Sequence, residues 1–309
     1  MPHYLVTGGA GFIGSNIATE LVRRGENVRI IDNFVTGRRE NLDEVSDGVE
    51  LIEGDICVPE HIREAVSGVD YVLHQAAIPS VERSVRDPAM TNKANVDGTV
   101  NLLIASRDAG VKRVVFASSS SVYGDSPSLP KTEDMAPNPL SPYAASKLIG
   151  EYYCTIFQNL FGLETICLRY FNVFGPRQDP ASQYAAVIPL FIAAVASDQQ
   201  PVIYGDGLQS RDFTFIENVV RANLTACSAP KEATGQVYNI ACGEQFTLLD
   251  LLDELGRILN KKPRPVFDEP RQGDVKHSLA DISLAKKRLS FEPDVSFAEG
   301  LRRTVAWFT

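Results

Sequence analysis

The feature that most narrows what this chain can fold into lies at its start. The apolar run Tyr4-Leu5-Val6-Thr7 enters Gly8-Gly9-Ala10-Gly11-Phe12-Ile13-Gly14 and then a helical pattern. Glycine permits a tight turn with positive φ and lets the backbone approach a phosphate closely. The helix that follows offers free amides and the positive end of its dipole. A G-x-G-x-x-G alone is weak evidence, since a glycine turn can simply pack a helix on a sheet. Here the residues also read G-x-x-G-x-x-G, follow a strand, open a helix, and are followed by Asp32 at the end of the second strand. An acidic residue at that place accepts hydrogen bonds from the adenosine ribose and disfavours a 2′-phosphate, so the spacing predicts NAD. Arg38 and Arg39, just beyond, leave a 2′-phosphate open as the alternative.

Short apolar strands alternate with helical patterns through the first half, as in a doubly wound parallel sheet. Strands are predicted at His3–Thr7, Val28–Asp32, Glu50–Glu53, Tyr71–His74, Val114–Ala117 and Glu164–Arg169. Helices are predicted near Phe12–Arg24, Pro59–Ser67, Val96–Ala109 and Pro142–Phe161. Several strands are apolar on both faces, which burial between two helical layers requires. After Arg169 prolines and glycines become frequent, and the expected strands Val202–Tyr204 and Arg211–Thr214 are short. Thr247-x-x-Asp250 resembles a capping box opening an amphipathic helix, Leu248–Asn260. The expected class is α/β, a Rossmann-like doubly wound parallel sheet with a smaller C-terminal α/β substrate lobe. Residues 1–170 are assigned to the NAD-binding domain, with part of 212–240, Phe215–Ser228 in particular, returning to it. Residues 171–309 are assigned to the second lobe.

A formal net charge of −9 argues against nucleic acid as a partner, although a few arginines can still hold an anionic ligand. The longest apolar run, Ala185–Ala196, contains Pro189 and is too short for a membrane span. The chain opens directly on a strand pattern, with neither a charged leader nor an apolar signal core. Five cysteines (Cys57, Cys154, Cys167, Cys227, Cys242) are scattered without C-x-x-C spacing, and the four histidines are equally dispersed. The expectation is a cytoplasmic protein with reduced cysteines and no metal site.

Two segments carry candidate chemistry. Ser141-Pro142-Tyr143-Ala144-Ala145-Ser146-Lys147 places Tyr-x-x-x-Lys at a helix start, with serine as N-cap and proline at the first position. Tyr143 and Lys147 then share a helix face. An ammonium, a helix N-terminus and a nicotinamide cation all favour the phenolate, so Tyr143 is a candidate general base near neutral pH. By itself such a pair is often only an amphipathic surface feature. The second segment, Ser118-Ser119-Ser120-Ser121, follows the strand Val114–Ala117, at the strand end where doubly wound folds bind ligands. Asp55-Ile56 is expected beside the adenine, and Ala76-Ala77-Ile78 along the dinucleotide.

Taken with TGGAGFIGS, HQAAIPSVERS, NVDGT, ASSSSVYGD, SPYAASK, LRYFNVFGPRQ, GDGLQSRDF and RQGDVKHSLAD, the chain resembles an extended short-chain dehydrogenase/reductase over nearly its whole length. It is most similar to the nucleotide-sugar 4-epimerases, of the UDP-glucose 4-epimerase kind and above all the bacterial UDP-N-acetylglucosamine 4-epimerases. The resemblance implies Ser119, Tyr143 and Lys147 as catalytic residues. It implies NAD contacts from Gly8, Gly11, Phe12, Ile13, Gly14, Asp32, Asn33, Asp55, Ile56, Ala76, Ala77, Asn95 and Tyr170, besides Tyr143 and Lys147, with Phe171 also near the nicotinamide. Asn172, Arg211, Arg271 and Asp274 match groups that hold the nucleotide diphosphate and uridine ribose, so 171–309 becomes a nucleotide-sugar-binding lobe. Related dehydratases carry Thr-Asp-Glu in the serine segment, and decarboxylases commonly a glutamate. Here Ser120 and Ser121 stand at those places, without a carboxylate for elimination.

The implied reaction is reversible oxidation of a UDP-sugar at C4 by tightly bound NAD, followed by return of hydride to the other face. Ser278 matches a position bordering the sugar, where a small residue accompanies acceptance of 2-acetamido sugars and tyrosine their exclusion. The expected substrates are UDP-N-acetylglucosamine and UDP-N-acetylgalactosamine, with UDP-glucose and UDP-galactose also accommodated. UDP-glucuronate epimerisation is the alternative, and an NAD-sensing regulator without catalysis is the alternative of another class. Family members pair through the helices near Val96–Ala109 and Pro142–Phe161, which implies a homodimer.

Overall fold

The computed structural model describes residues 1–179, 186–270 and 276–309. β1 (His3–Thr7) runs through the glycine turn into α1 (Phe12–Arg23), followed by β2 (Asn27–Asp32), a 3-10 segment at Arg39–Gly48, and β3 (Val49–Glu53). α2 (Pro59–Val66) begins on proline, where no amide hydrogen is needed. After β4 (Tyr71–His74) come α3 (Val81–Arg86) and α4 (Pro88–Asn92), capped by the Ser80 and Asp87 side chains. A π-helical turn, Lys93–Asp97, leads into α5 (Gly98–Asp108). The helix expected at Val96–Ala109 is thus a later part of a longer helical stretch. Its earlier part starts at Asp87-Pro88, a cap signal that the polar run Thr91-Asn92-Lys93 disguises. β5 (Arg113–Ser119) and α6 (Pro142–Phe161) precede β6 (Glu164–Tyr170). Ser141 caps α6 by accepting the Ala144 amide at 3.1 Å, and Gly162 ends it at φ +72°.

The second half contains β7 (Val173–Phe174), α7 (Val187–Ala196), β8 (Val202–Tyr204), β9 (Ser210–Arg211), β10 (Thr214–Phe215) and α8 (Ile216–Ser228). Then follow β11 (Gln236–Ile240), β12 (Phe246–Thr247), α9 (Leu248–Leu259), β13 (Val266–Asp268), α10 (Ser283–Leu289) and α11 (Phe297–Phe308). The expected strand Arg211–Thr214 is split: β9 pairs antiparallel with β12, and β10 pairs parallel with β7. Asp212 causes the break. Its buried carboxylate accepts the amides of Cys242 and Gly243, both at 3.0 Å, and of Ala280 at 3.2 Å, bonds that turn it out of any ladder. α9 shows the reciprocal Thr247–Asp250 capping box, and Asn260 ends it in the left-handed region.

The main sheet has the order β11-β6-β5-β4-β1-β2-β3, with every pair parallel. The order reverses between β1 and β4, so their carboxyl ends open the crevice in which such sheets bind ligands. Alternate side chains face opposite layers. Leu5, Ile31, Val72, Val114 and Phe116 pack under α2, α5 and α6, while Val6, Ile30, Leu73, Val115 and Ile166 pack under α1 and α8. The chain leaves the sheet after β6 and returns as α8 and β11. β8 with β13, β9 with β12, and helices α7, α9 and α11 form the smaller lobe. An aromatic cluster fills it: Phe297 stacks on Phe246 at 4.2 Å and on Phe213 at 5.4 Å between centroids.

Candidate active site

The glycine turn has a shape that only glycine allows. Gly8 has φ +66°, and a Cβ there would lie 2.8 Å from the backbone of Ala76. A Cβ on Gly14 would lie 2.2 Å from the Gly8 carbonyl oxygen. The N-cap of α1 is Gly11, which has no side chain to satisfy the first-turn amides of Phe12 and Ile13. A close-packed turn facing an uncapped helix start fits a pyrophosphate.

Asp32, at the end of β2, accepts the amides of Ala10 at 2.9 Å and Phe34 at 2.8 Å. Burial pushes its carboxyl above the ordinary range, and the two amides partly offset that. Each oxygen keeps a lone pair for ribose hydroxyls. Arg38 is paired with Asp179, and Arg39 with Glu53 while lying over the Phe34 ring. Both arginines singled out as possible 2′-phosphate ligands therefore already face carboxylates. Asn33 donates to Asp55 at 3.2 Å, and Asp55 accepts the Cys57 amide at 2.7 Å. Ile56 is buried next to them.

The loop after β4 is bound to its neighbours. Thr7 Oγ1 accepts the Ala76 amide at 3.1 Å, and Ala77 follows, half-buried. Asn95 accepts the Ile78 amide at 2.7 Å and donates to Ile78 O at 3.2 Å and to Ser146 Oγ at 3.0 Å. One buried asparagine in the π-turn thus fastens this wall to α6, between Tyr143 and Lys147. His74 lies beneath, with Nδ1 2.7 Å from Thr7 Oγ1 and Nε2 3.0 Å from Thr99 Oγ1. Thr99 donates to Asn95 O at 2.6 Å, so it accepts from Nε2–H, which makes the ring the neutral Nε2–H tautomer. Burial, and after it the charge of Lys147, drives its pKa down to about 3.

Ser119, Tyr143 and Lys147 converge at the carboxyl end of β5. Ser119 lies close enough to the Tyr143 phenol to favour its ionised form. The serine oxygen accepts the Ser121 amide at 3.1 Å, leaving its own hydrogen to be donated. Lys147 does not reach the phenol oxygen directly. Its Nζ donates to Ala117 O at 2.9 Å and lies 5.1 Å from the Phe116 ring centroid and 5.9 Å from that of Tyr143. Burial lowers its pKa to about 8. Burial also raises the Tyr143 phenol above its usual value, with the nearby Ser119 acting the other way. The acidity expected of Tyr143 is therefore not supplied by the side chains alone, because its lysine is anchored to the strand.

Tyr170, the register partner of Ser119, turns its hydroxyl away to Asn223 Nδ2 at 2.8 Å and Gln75 Nε2 at 3.2 Å. Asn172 lies two residues past β6, and with Arg211 it lines a cavity of about 690 Å³. Its walls come chiefly from α7 and the connection to β8, with Tyr204, Gln209 and Phe213 also lining it. In the sequence the apolar run of α7 reads only as a stretch too short for a membrane span, and nothing in its pattern marks a helix or a pocket wall. Arg211 donates to the Ser210 and Lys276 carbonyls at 2.9 and 3.2 Å. Ser278 is pinned by its backbone, its amide to Ser210 O at 3.1 Å and its carbonyl to Gln245 Nε2 at 3.3 Å, and it is not among the cavity's lining residues. Arg271 and Asp274 lie outside the described residues.

Residues 4–241 match the model of the NAD dependent epimerase/dehydratase family. A putative UDP-glucose 4-epimerase of Methanocaldococcus jannaschii is 38% identical, over 98% of this chain and 97% of its own. The solved UDP-N-acetylglucosamine 4-epimerase of Methanobrevibacter ruminantium, in complex with UDP-N-acetylmuramic acid, is 42% identical, with a TM-score of 0.95 over 99% of this chain and 98% of its own. The Thermus thermophilus UDP-glucose 4-epimerase solved with NAD is 36% identical, with a TM-score of 0.89 over 99% and 98% of the two chains.

Proposed function

The chain belongs to the NAD dependent epimerase/dehydratase family, and from that premise we propose that it is a UDP-sugar 4-epimerase with UDP-N-acetylglucosamine and UDP-N-acetylgalactosamine as its preferred pair. The observation that carries the reading is the convergence of Ser119, Tyr143 and Lys147 at the carboxyl end of β5, in the sheet whose β1 enters the glycine turn, with Ser120 and Ser121 where an elimination would need carboxylates.

Gly8, Gly11, Phe12, Ile13 and Gly14 would hold the pyrophosphate, and Asp32 would hold the adenosine ribose with Asn33, Asp55 and Ile56 beside it. Ala76, Ala77, Asn95 and Tyr170 line the remainder. NAD, when bound, would accept the hydride of C4 and give it back, and would bring a positive charge to the site. Tyr143 removes the proton of the 4-hydroxyl, and Ser119, its oxygen held by the Ser121 amide, donates its hydrogen to the reacting oxygens. Lys147 holds a charge beside both groups, fixed by Ala117 O. The 4-keto sugar then turns about its diphosphate and offers the other face of C4 to the returning hydride, while Tyr143 gives the proton back to the C4 oxygen. Remote binding energy from the nucleotide retains the sugar during that turn. Asn172 and Arg211, with Arg271 and Asp274, would hold the nucleotide on the 171–309 lobe, where Asn172 and Arg211 line the cavity. A guanidinium suits diphosphate through permanent charge and paired donors.

The acetamido preference rests on Ser278, whose small side chain leaves room at C2. We also propose a homodimer. Tyr152, Ile156 and Leu160 form a stripe along α6 that is 54, 44 and 73% exposed, and Ile104 of the neighbouring α5 adds to it. A cytoplasmic setting fits the free cysteines. No described helix is long and apolar enough to cross a membrane.

The test is a coupled assay of purified protein on UDP-N-acetylglucosamine, UDP-glucose and UDP-glucuronate. Turnover of the first two with preference for the acetylated sugar is expected. Turnover of UDP-glucuronate alone would overturn the substrate, and bound NAD without turnover of any sugar would overturn the catalytic reading.

A further inference from the structure

We propose that Ser118 and Glu151 are positioning residues for this reaction, fixing the end of β5 that presents Ser119 and anchors Lys147. The proposal rests on the catalytic reading above. Ser118 stands between Ala117, whose carbonyl receives Lys147 Nζ at 2.9 Å, and Ser119. Because side chains alternate along a strand, Ser118 turns away from Ser119 and into the layer of α6. There its hydroxyl donates to Glu151 Oε1. Glu151 lies four residues after Lys147 and eight after Tyr143, on the same face of α6. One helix face thus carries the base, the lysine and the carboxylate that grips the strand.

Glu151 is itself immobilised. Arg169, the register partner of Ser118 on β6, donates Nε to Oε1 at 2.8 Å and Nη2 to Oε2 at 2.7 Å. Both side chains are only 4% exposed. The pair already neutralises the buried carboxylate, so the Ser118 hydroxyl is not needed to satisfy it. A buried ion pair is weak support for stability in any case. What the hydroxyl adds is orientation, since rotation of the Ser118 backbone would move the Lys147 acceptor on one side and the reacting hydroxyl on the other.

The chain of contacts continues beyond the strand. Arg169 lies 4.6 Å from the Tyr123 ring centroid, and Tyr123 donates to Asn239 Oδ1 at 2.7 Å. Asn239 Nδ2 donates in turn to Lys131 O at 2.9 Å and Asp281 O at 3.1 Å. The end of β5 and the stretch that leads back to Ser278 are therefore set by one buried network.

The experiment compares Ser118→Ala, Ser118→Thr and Glu151→Gln with a control at the other end of the same strand. The control is Arg113→Lys, which loses bonds to Glu164 and to the carbonyls of Ala226, Cys227 and Ala229. A misplacement of ~1 Å can cost ~10²-fold. Ser118→Ala is expected to retain NAD and hold KM within about twofold while kcat falls by about tenfold or more. Ser118→Thr, which keeps the hydroxyl, recovers most of that loss, and Glu151→Gln falls at least as far as Ser118→Ala. Arg113→Lys lowers Tm and leaves kcat unchanged. An unimpaired kcat in Ser118→Ala overturns the positioning role alone, as does an equal kcat loss in the control. A wild-type protein without turnover on any UDP-sugar removes the catalytic reading and this role together.

Discussion

Arg38 donates to Asp179 at 2.5 Å and so joins the loop after β2 to the segment beyond β6. The two residues are far apart in the chain, and the pair is half-exposed, so it adds little to stability. Its weight falls on selection. With Arg39 turned to Glu53, both arginines that could take a 2′-phosphate already face carboxylates, while Asp32, the proposed ribose ligand, is held by the amides of Ala10 and Phe34.

Protein purified without added nucleotide should therefore release NAD, and not NADP, on denaturation. Asp32→Ala should weaken NAD binding by about 10- to 150-fold, the loss of a charged hydrogen bond of ~1.5–3 kcal/mol. Recovery of mainly NADP from the wild type would show that the arginines govern the choice.

Tyr143→Phe should fold and keep NAD, yet lose the ~10²–10⁴-fold that positioned acid–base catalysis supplies. Near-normal turnover would rule Tyr143 out as the proton carrier. Lys147→Ala should harm both NAD retention and kcat, because it removes the charge beside the phenol and frees Ala117 O.

Two buried groups should set opposing pH dependences of stability. His74 is held at about 3 against an ordinary 6.5, so the unfolded chain binds the extra proton between those values and stability falls as pH drops from 6.5. Asp212 is pushed by burial up to about 7 from 3.8, so the folded protein binds the extra proton there and stability falls as pH rises from about 4 to 7. Urea midpoints measured from pH 4 to 6.5 should separate them. Relative to the wild type, His74→Gln should tilt the curve towards acid stability and Asp212→Asn away from it, each by at most ~1.4 kcal/mol per pH unit. Curves parallel to the wild type would mean that neither group is buried as described.

Ser278→Tyr should separate the sugars. Overpacking of a wall typically costs ~1–3 kcal/mol, or roughly 5- to 150-fold. Turnover of UDP-N-acetylglucosamine should fall by that factor while UDP-glucose turnover survives. Equal losses on both would remove Ser278 as the gate.

Ile156→Glu and Leu160→Glu place charge on the exposed stripe of α6, and together they should convert a homodimer to monomer by light scattering at micromolar concentration. A wild type that is already monomeric would remove the proposed pairing.

What could be read from the chain follows the range of each interaction. The glycine turn, the Ser141-Pro142 start of α6 and the Thr247–Asp250 box are local signals, written within a few residues of where they act. Several strands of the first half, β4, β5 and β6 among them, were legible because burial on both faces leaves an apolar run, which the half-exposed edge strand β3 lacks. β9 and β10 were misread as one strand because the bonds of Asp212 to residues 242, 243 and 280 leave no mark near 212. Arg38–Asp179, Glu151–Arg169 and the cavity walls from α7 and β8 were hidden for the same reason. Tyr143 and Lys147 could be named from spacing, yet the anchoring of Lys147 to Ala117 depends on how α6 lies over β5.

The late return of β11 to the sheet bears on how the protein is made. β6 pairs with β5 on one side, and its other edge is closed only by residues 236–240. A ribosome working at roughly 5–20 residues per second takes seconds to add the intervening stretch. Through that interval the nascent chain presents a row of unpaired amides and carbonyls, open to any neighbouring polypeptide in extended form. A product truncated ahead of Gln236 would keep that edge permanently, and chaperone capture or precipitation would be its fate.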